Sequence, residues 1–447
     1  MFESLIEFIT TAEALRFKRL LWVVVAFPVL YLLFGWQSWD KISDAKRRRL
    51  RFIAIAISLS FLLIDLALVG TNLRDRREWD FVPYWVIGQA IVQESHPYDG
   101  ETLARIAEPL QPSEELQSEL YCFYPPISLL LFAPLGWLPF SPALIAWEVV
   151  QFAALWWSLR LLVKFFADPD AGEAVNTSDE KKSLAKWVTL AVSLALYPTA
   201  ATFFFAQTNF LILLTLLLFY RDREKPIAGV WLALGACVKP IVISVPLYLL
   251  MRGQWKAIVA MGATLVGVCL LTAALLGPQV FTEFLQQSTV STSYKGAQLQ
   301  NQSIGGTYVR LTTTAEERKA NLAPNPMQSP VVIGLILLTI ALTAVGIYRC
   351  RGEADPFAYG ATLAMMLMIY PGTLTHYAAQ LLPAIVLLVS QIPKTSRMTL
   401  PALVTLVLML CTTKLTIWAI LLVWIAMLGL GLSIDQSSQR RGAAALS

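Results

Sequence analysis

The chain has 447 residues, 56% of them hydrophobic and 15% charged, with a mean hydropathy of +0.60 and a formal net charge of +5. This is far too apolar for a soluble domain, and the apolar residues come in blocks of roughly 17–25, the length of a bilayer-crossing helix. A β-barrel would alternate polar and apolar residues in stretches of roughly ten, and these blocks do not, so an all-α polytopic membrane protein is expected.

The N-terminal stretch "MFESLIEFITTAEALRFKRL" carries Glu3, Glu7 and Glu13. A signal peptide needs a basic start and a small-residue cleavage site, so the stretch is expected to form an interfacial helix before the first span. Apolar blocks follow near 20–36, 51–70, 123–138, 142–166, 185–204, 208–220, 226–238, 240–251, 255–276, 331–348, 356–370, 374–391, 399–413 and 415–433. Several joints are basic: 46–51, 221–225, 251–256, 348–353, 393–397 and 439–441. Basic joints prefer the cytoplasm. Segment 71–122, the turn 205–210, the Lys239–Pro240 joint, segment 277–330 and the turn 370–377 then fall outside. Loop 71–121 agrees, with ten acids against Arg74, Arg76, Arg77 and Arg105. Between 122 and the joint at 167–184 the chain must cross an odd number of times, yet it shows two apolar blocks. Either 123–138 is a partial, re-entrant helix or the siding differs nearby; the total is about thirteen spans.

The outer segments collect the unusual polar residues. In "DFVPYWVIGQAIVQE" the apolar face is Phe81, Tyr84, Trp85, Gly88, Ile91 and Val92, which suits an amphipathic helix in the membrane surface. Asp80 directly precedes it, as an N-cap or as a catalytic carboxylate, and the two roles are compatible. Three helix ends read Tyr-Pro, at Tyr124-Pro125, Tyr197-Pro198 and Tyr370-Pro371, as belt tyrosines beside helix breakers. Lys239 lies between two apolar blocks, where a lysine is costly and faces protein or water with a partner. His376, one of two histidines, follows "YPGTLT", and "NQSIGGTYVR" sets Asn301, Gln302, Ser303 and Arg310 around two glycines. The five cysteines (Cys122, Cys237, Cys269, Cys350, Cys411) form no C-x-x-C and give no metal or redox signature. Asp75 sits among Arg74, Arg76 and Arg77, which argues for an ion pair, so no metal is expected. A face with a carboxylate, cations and amides suits a lipid-linked phosphosugar: Arg and Lys hold phosphate, amides meet hydroxyls, and a carboxylate takes a proton.

The segments Asp80–Asp99, Phe123–Pro139, Phe205–Leu218, Gly229–Pro240, Asn301–Gly306 and Tyr370–Pro383 stand in the order found in glycosyltransferase family 87. Across about residues 51–400 the chain resembles that family, the polyprenol-phosphate-mannose-dependent mannosyltransferases with the GT-C membrane fold. With the blocks counted above, the expected architecture is about 12–14 hydrophobic helices, with amphipathic helices in the first outer loop. It divides the chain into 1–50 (interfacial helix and extra span), 51–400 (catalytic module with outer loops 71–122 and 277–330) and 401–447 (last spans and a short cytoplasmic tail). It implies an inverting transfer, most naturally of mannose, from a polyprenyl-phosphate donor to a glycan or glycolipid on the extracytoplasmic face of the cell membrane. No cofactor, metal or nucleic acid is expected. Asp80 maps to the general base. Lys239, Arg310 and His376 are assigned to the donor phosphate by their charge. Tyr84, Tyr124, Gln207, Asn209, Asn301, Gln302, Ser303 and Tyr377 are assigned to the sugar or acceptor. Ala206 stands where the family often has glycine, and "ESHPY" lacks the family's glycine before the Pro-Tyr pair. The alternatives are the same fold using lipid-linked arabinose or another sugar, a secondary transporter, and a non-catalytic membrane scaffold.

Overall fold

The computed structural model describes residues 29, 31–32, 43–74, 81–111, 124–164, 179–286, 301–319, 325–391, 404–405 and 416–446. The expected N-terminal interfacial helix, Asp75, Asp80 and most of the block 399–413 lie outside the described residues. The described elements are helical, apart from a single bridge between Asn301 and Leu374. They are α1 (Asp44–Arg74), α2 (Phe81–Val92), α3 (Gly100–Ala107), α4 (Pro126–Phe132), α5 (Phe140–Leu162), α6 (Asp179–Ala195), α7 (Tyr197–Phe204), α8 (Asn209–Arg221), α9 (Ile227–Val238), α10 (Pro246–Arg252), α11 (Trp255–Leu276), α12 (Ile304–Thr312), α13 (Pro330–Arg349), α14 (Asp355–Ile369), α15 (Leu382–Gln391) and α16 (Thr416–Leu446).

Length sorts these helices into two groups. Among the described residues, five are long and apolar enough to cross a membrane: α1, α5, α11, α13 and α16. A sixth span forms if α6 and α7 are joined across their 55° bend. That bend lies just before Pro198, which lacks the N–H needed to continue the ladder but is tolerated in the first turn of a new helix. The apolar blocks at 208–220, 226–238 and 240–251 become α8, α9 and a 3-10 turn (Pro240–Ser244) leading into α10, each too short to cross a core of about 30 Å alone. The block at 123–138 is likewise short: α4 runs into a 3-10 turn, Ala133–Trp137, which fits the partial-helix alternative. Large apolar side chains stay exposed on the long helices, as Val259, Val266 and Leu270 do on α11, the face a bilayer covers. The protein is a helical membrane protein.

One large core joins α1, the second half of α5, α6 to α11 and α13 to α16, while a smaller cluster gathers α2 to α4 and the first half of α5. The smaller cluster positions the site. Helix α2 is sunk deeper than a helix resting in a surface, since Val82, Val86, Ile87 and Ala90 are buried along with Phe81, Tyr84 and Gly88. Its backbone meets the 3-10 turn at Gly88 and Gly136, where a Cβ on Gly136 would lie 2.1 Å from the Gly88 carbonyl oxygen. Gln89 Nε2 donates to Gly136 O at 2.8 Å and Trp85 Nε1 to Leu138 O at 2.9 Å. Helix α3 is amphipathic and starts at Asp99, whose carboxylate caps the Glu101 and Thr102 amides. The Thr102 hydroxyl, bonded at 2.6 Å, holds the Asp99 carboxyl below its usual range.

At the end of the bundle that carries the basic joints, buried Asp355 ties α8, α10 and α14 together. It accepts from Tyr248 Oη at 2.6 Å and Tyr220 Oη at 3.2 Å, and pairs with Arg223 Nε at 3.0 Å and with Arg252. Removing the carboxylate would leave the Arg252 guanidinium, whose side chain is only 10% exposed, without its charge partner. Asp355→Ala is expected to destabilise the fold by about 3 kcal/mol. Thermal unfolding of purified protein in detergent checks this as a lowered Tm.

Candidate active site

The site begins where α9 stops. Pro240 cannot continue the helix, and the residue before a proline is pushed to extended backbone, as Lys239 is (φ −152, ψ 136). Its side chain, 6% exposed, is not left in hydrocarbon. Lys239 Nζ donates to Gln207 Oε1 at 2.7 Å and lies 4.2 Å from the centroid of the Tyr377 ring. A cation over an aromatic face is attracted by the ring quadrupole, and more strongly where water is excluded.

Gln207 sits in the turn between α7 and α8. Ala206 there has φ +48, a left-handed conformation that favours glycine. Gln207 N donates to Thr202 O at 2.9 Å, and Trp147 Nε1, from α5, donates to Ala206 O at 2.7 Å. From α2, Tyr84 Oη donates to Gln207 Oε1 at 3.3 Å, and Tyr124 Oη donates to Tyr84 Oη at 2.9 Å. Tyr98 Oη in turn donates to Tyr124 O at 2.7 Å. The Tyr84 ring stacks on Phe132 with centroids 4.6 Å apart. Five of the residues marked in the sequence, Tyr84, Tyr124, Gln207, Lys239 and Tyr377, therefore form one connected group.

Asn209 and His376 lie beside this group. Asn209 is fully buried; its Nδ2 donates to His376 O at 3.2 Å and to Thr202 Oγ1 at 3.1 Å, and its Oδ1 accepts from Gln380 Nε2 at 3.2 Å. This fastens the 3-10 turn Thr375–Leu381 to α7 and α8. The His376 ring packs 4.8 Å from Tyr377 and 5.7 Å from Phe205.

The loop Asn301–Arg310 approaches segment 370–374 instead. Asn301 Nδ2 donates to Pro371 O and Gln302 N to Thr373 O, both at 2.6 Å. Asn301 Oδ1 accepts from Ser303 N at 3.0 Å and Ser303 Oγ at 2.7 Å, and Ser303 Oγ caps α12 through Gly306 N at 2.9 Å. Gln302 Oε1 accepts from Ile417 N at 3.0 Å. Gly306 must be a glycine here, since its Cβ would lie 2.4 Å from Asn301 Cγ. Arg310 donates to Asn301 O and to Thr307 Oγ1, the latter at 3.0 Å. Burial, with Arg318 nearby, lowers its guanidinium pKa below the ordinary value. The polar groups of this loop thus build a clasp, and segment 370–377 links the clasp to Lys239.

Asp80 lies outside the described residues, although the helix that follows it carries Tyr84 into the group. Sequence reasoning missed Trp147, Tyr98, Thr202 and Gln380. Trp147 looked like part of an apolar span, and only its indole N–H marks it as a group needing a partner. Chemically, the arrangement offers an oriented ammonium among aromatic rings and amides, which suits an anionic group bearing hydroxyls.

Comparison with known proteins adds three findings. A family model described as glycosyltransferase family 87 matches residues 122–375, more than half of the chain. A Mycolicibacterium smegmatis protein named as a polyprenol-phosphate-mannose-dependent alpha-(1-2)-phosphatidylinositol pentamannoside mannosyltransferase is 24% identical over 272 residues, 58% of this chain and 59% of that protein. Its Mycobacterium tuberculosis counterpart, of the same name, is 25% identical over 275 residues, 60% of this chain and 58% of that protein. The chain thus spans under two thirds of the length of these relatives. No solved structure matches.

Ala206 gives the site a direct test. Glycine would relieve its left-handed backbone by about 1 kcal/mol but would forfeit a buried methyl worth about 0.8 kcal/mol, so Ala206→Gly is expected to be near neutral. Ala206→Val puts a β-branched residue at the same φ, costs about 2 kcal/mol and displaces Gln207. Paired Tm measurements on the two variants check the difference.

Proposed function

Because the chain belongs to glycosyltransferase family 87, we propose that it transfers a sugar, mannose first among the candidates, from a polyprenyl-phosphate donor to a glycan or glycolipid. We place the reaction on the extracytoplasmic face of the cell membrane, the side opposite the basic joints. The observation that carries this reading is Lys239, a buried ammonium oriented by Gln207 and Tyr377 at a break between apolar helices. A cation at that depth is held for a purpose, and a lipid phosphate is the anion a bilayer delivers there. The names of the two relatives support the donor and the class of acceptor.

The chemistry follows from the donor. An acceptor hydroxyl attacks the anomeric carbon from the face opposite the phosphate. The new C–O bond forms as the bond to the phosphate oxygen breaks, and its electrons leave with the polyprenyl phosphate. The hydroxyl proton passes to the Asp80 carboxylate. Displacement inverts the anomeric centre. One carboxylate suffices, because phosphate leaves as a stable anion, whereas a glycosidase needs a second carboxyl to protonate a poor leaving group. Lys239 faces the charge that grows on the departing phosphate. Asn301, Gln302 and Ser303 hold segment 370–377 in place, and through it Tyr377 and His376. The reaction draws no electrons from elsewhere, so it calls for no cofactor.

Purified protein incubated with polyprenyl-phosphate mannose and a mannosylated glycolipid tests the reading. Asp80→Asn is expected to lower kcat at least 100-fold with donor binding retained. Lys239→Met is expected to raise the donor KM about tenfold. Near wild-type turnover of Asp80→Asn would sink the base, and transfer only from a pentose donor would sink mannose.

A further inference from the structure

Helix α1 carries one acid into the bilayer. Between residues 52 and 70 its only ionisable side chain is Asp65, which is fully buried. Among the described residues neither of its carboxylate oxygens has a hydrogen-bond partner. A carboxylate at that depth is costly unless a positive charge or a set of donors meets it. No lysine or arginine stands in the adjoining stretches of α5 (140–159) or of α6 and α7 (187–204).

Register places Asp65 against a broken helix. Ser58 Oγ of α1 lies 3.4 Å from Trp187 O of α6. Both helices leave the basic end of the bundle, so they run side by side in one direction. Asp65 stands two turns beyond Ser58 on the same face, about 10 Å further out. The same rise along α6 leads from Trp187 to Leu194. Helix α1 packs on both α6 and α7, so Asp65 comes up beside the 55° break between them.

The break opens the end of α6. Pro198 lacks the N–H that would bond Leu194 O in a continuous helix. Thr199 N, the helical donor for Ala195 O, bonds Leu196 O at 3.0 Å instead. Two carbonyls thus lose their helical donors at the negative end of the α6 dipole. Ser193 Oγ and Gln151 Oε1 are buried as well and, among the described residues, have no hydrogen-bond partner. Gln151 lies on α5, which packs on α1 and α6. Its neighbour Phe152 sets its ring 5.6 Å from that of Phe203, so this turn of α5 meets α7.

We propose that Asp65, the opened end of α6, Ser193 and Gln151 form a binding site for one sodium ion. Carboxylate, carbonyl, hydroxyl and amide oxygens are the donors that hard cations take. Unwound carbonyls and the C-terminal ends of half-helices hold Na+ in the same way at other broken membrane helices. Asp65 balances one positive charge; a doubly charged ion would leave an excess in an apolar setting. Among the described residues no three His, Cys, Asp or Glu gather as ligands for a transition metal. The bound ion joins α1 to the bend from which α7 runs to the Gln207 turn, and so fixes the span that carries that turn.

The test compares purified protein in sodium chloride and in choline chloride at equal ionic strength. Wild type is expected to melt at least about 3 °C higher in sodium, and to bind about one 22Na+ per chain saturably. Asp65→Asn keeps the shape and removes the charge. It is expected to lose both the sodium shift and 22Na+ binding, while its Tm in choline is no lower than that of wild type. Glu148, three residues before Gln151, is the other buried acid of these helices, so Glu148→Gln is measured beside it and is expected to keep the sodium shift. Equal Tm of wild type in the two salts overturns the proposal, as does an Asp65→Asn protein that still binds 22Na+. A shift produced by calcium chloride and not by sodium overturns the single charge. No sodium effect together with an Asp65→Asn protein more stable in both salts means that a proton neutralises Asp65, and this too overturns the site. Should Asp65→Asn fail to fold, Ser193→Ala decides: a several-fold rise in the sodium concentration giving half the Tm shift is expected, and an unchanged value overturns the placement.

Discussion

The site depends on one constraint: an ammonium buried where water does not reach must be held by the protein. Leaving it unpaired would cost several kcal/mol, so its partners are part of the fold as much as of any chemistry. Lys239 takes its partners from the α7–α8 turn and from the 3-10 turn after residue 374, two segments far apart in the chain. Those segments must therefore be brought together before the lysine can be buried at all.

The means of bringing them together is interrupted helix. Backbone that leaves the helical ladder inside a membrane protein is tolerated only where it is buried against other protein or lines a cavity. Here three interruptions converge: the stop at Lys239–Pro240, the left-handed turn at Ala206, and segment 370–374. The Ala206 turn and the segment from Tyr370 to Tyr377 meet side chains sent from elsewhere. Trp147 takes the Ala206 carbonyl, Asn301 takes the Pro371 carbonyl, and Asn209 takes the His376 carbonyl. The polar residues that punctuate the apolar sequence are in large part the partners of this broken backbone.

This explains what was legible in the sequence and what was not. The helical membrane class, the breaks at Tyr197-Pro198 and Lys239–Pro240, and the strangeness of Lys239 are local features, because proline, charge and apolar length act within a few residues. Tyr84, Tyr124, Gln207, Lys239 and Tyr377 were legible as a set of unusual polar residues at block ends. Their pairing was not. Gln207 and Lys239 are 32 residues apart, and Tyr84 and Gln207 are 123 apart. Nothing in residue type shows that the Gln207 side chain accepts from Lys239 and Tyr84. Nor does residue type show that Asn301 and Ser303 also bond to segment 370–374 and to the start of α12. The depth of α2 was hidden too: its apolar residues mark one face, but the Gly88–Gly136 approach buries the others as well.

Buried charge is held at two places in the bundle. At the basic end, Asp355 meets two guanidinium groups and two phenols, so opposite charges close on each other inside the protein. Such a cluster fastens α8, α10 and α14, because the bonds it makes are already made before any ligand arrives. At the other end Lys239 is bonded to the Gln207 amide oxygen and lies over the Tyr377 ring, and these two contacts fix its direction. On the proposed reading, the donor phosphate meets a cation whose side chain is already held, so less of the binding energy goes into ordering it.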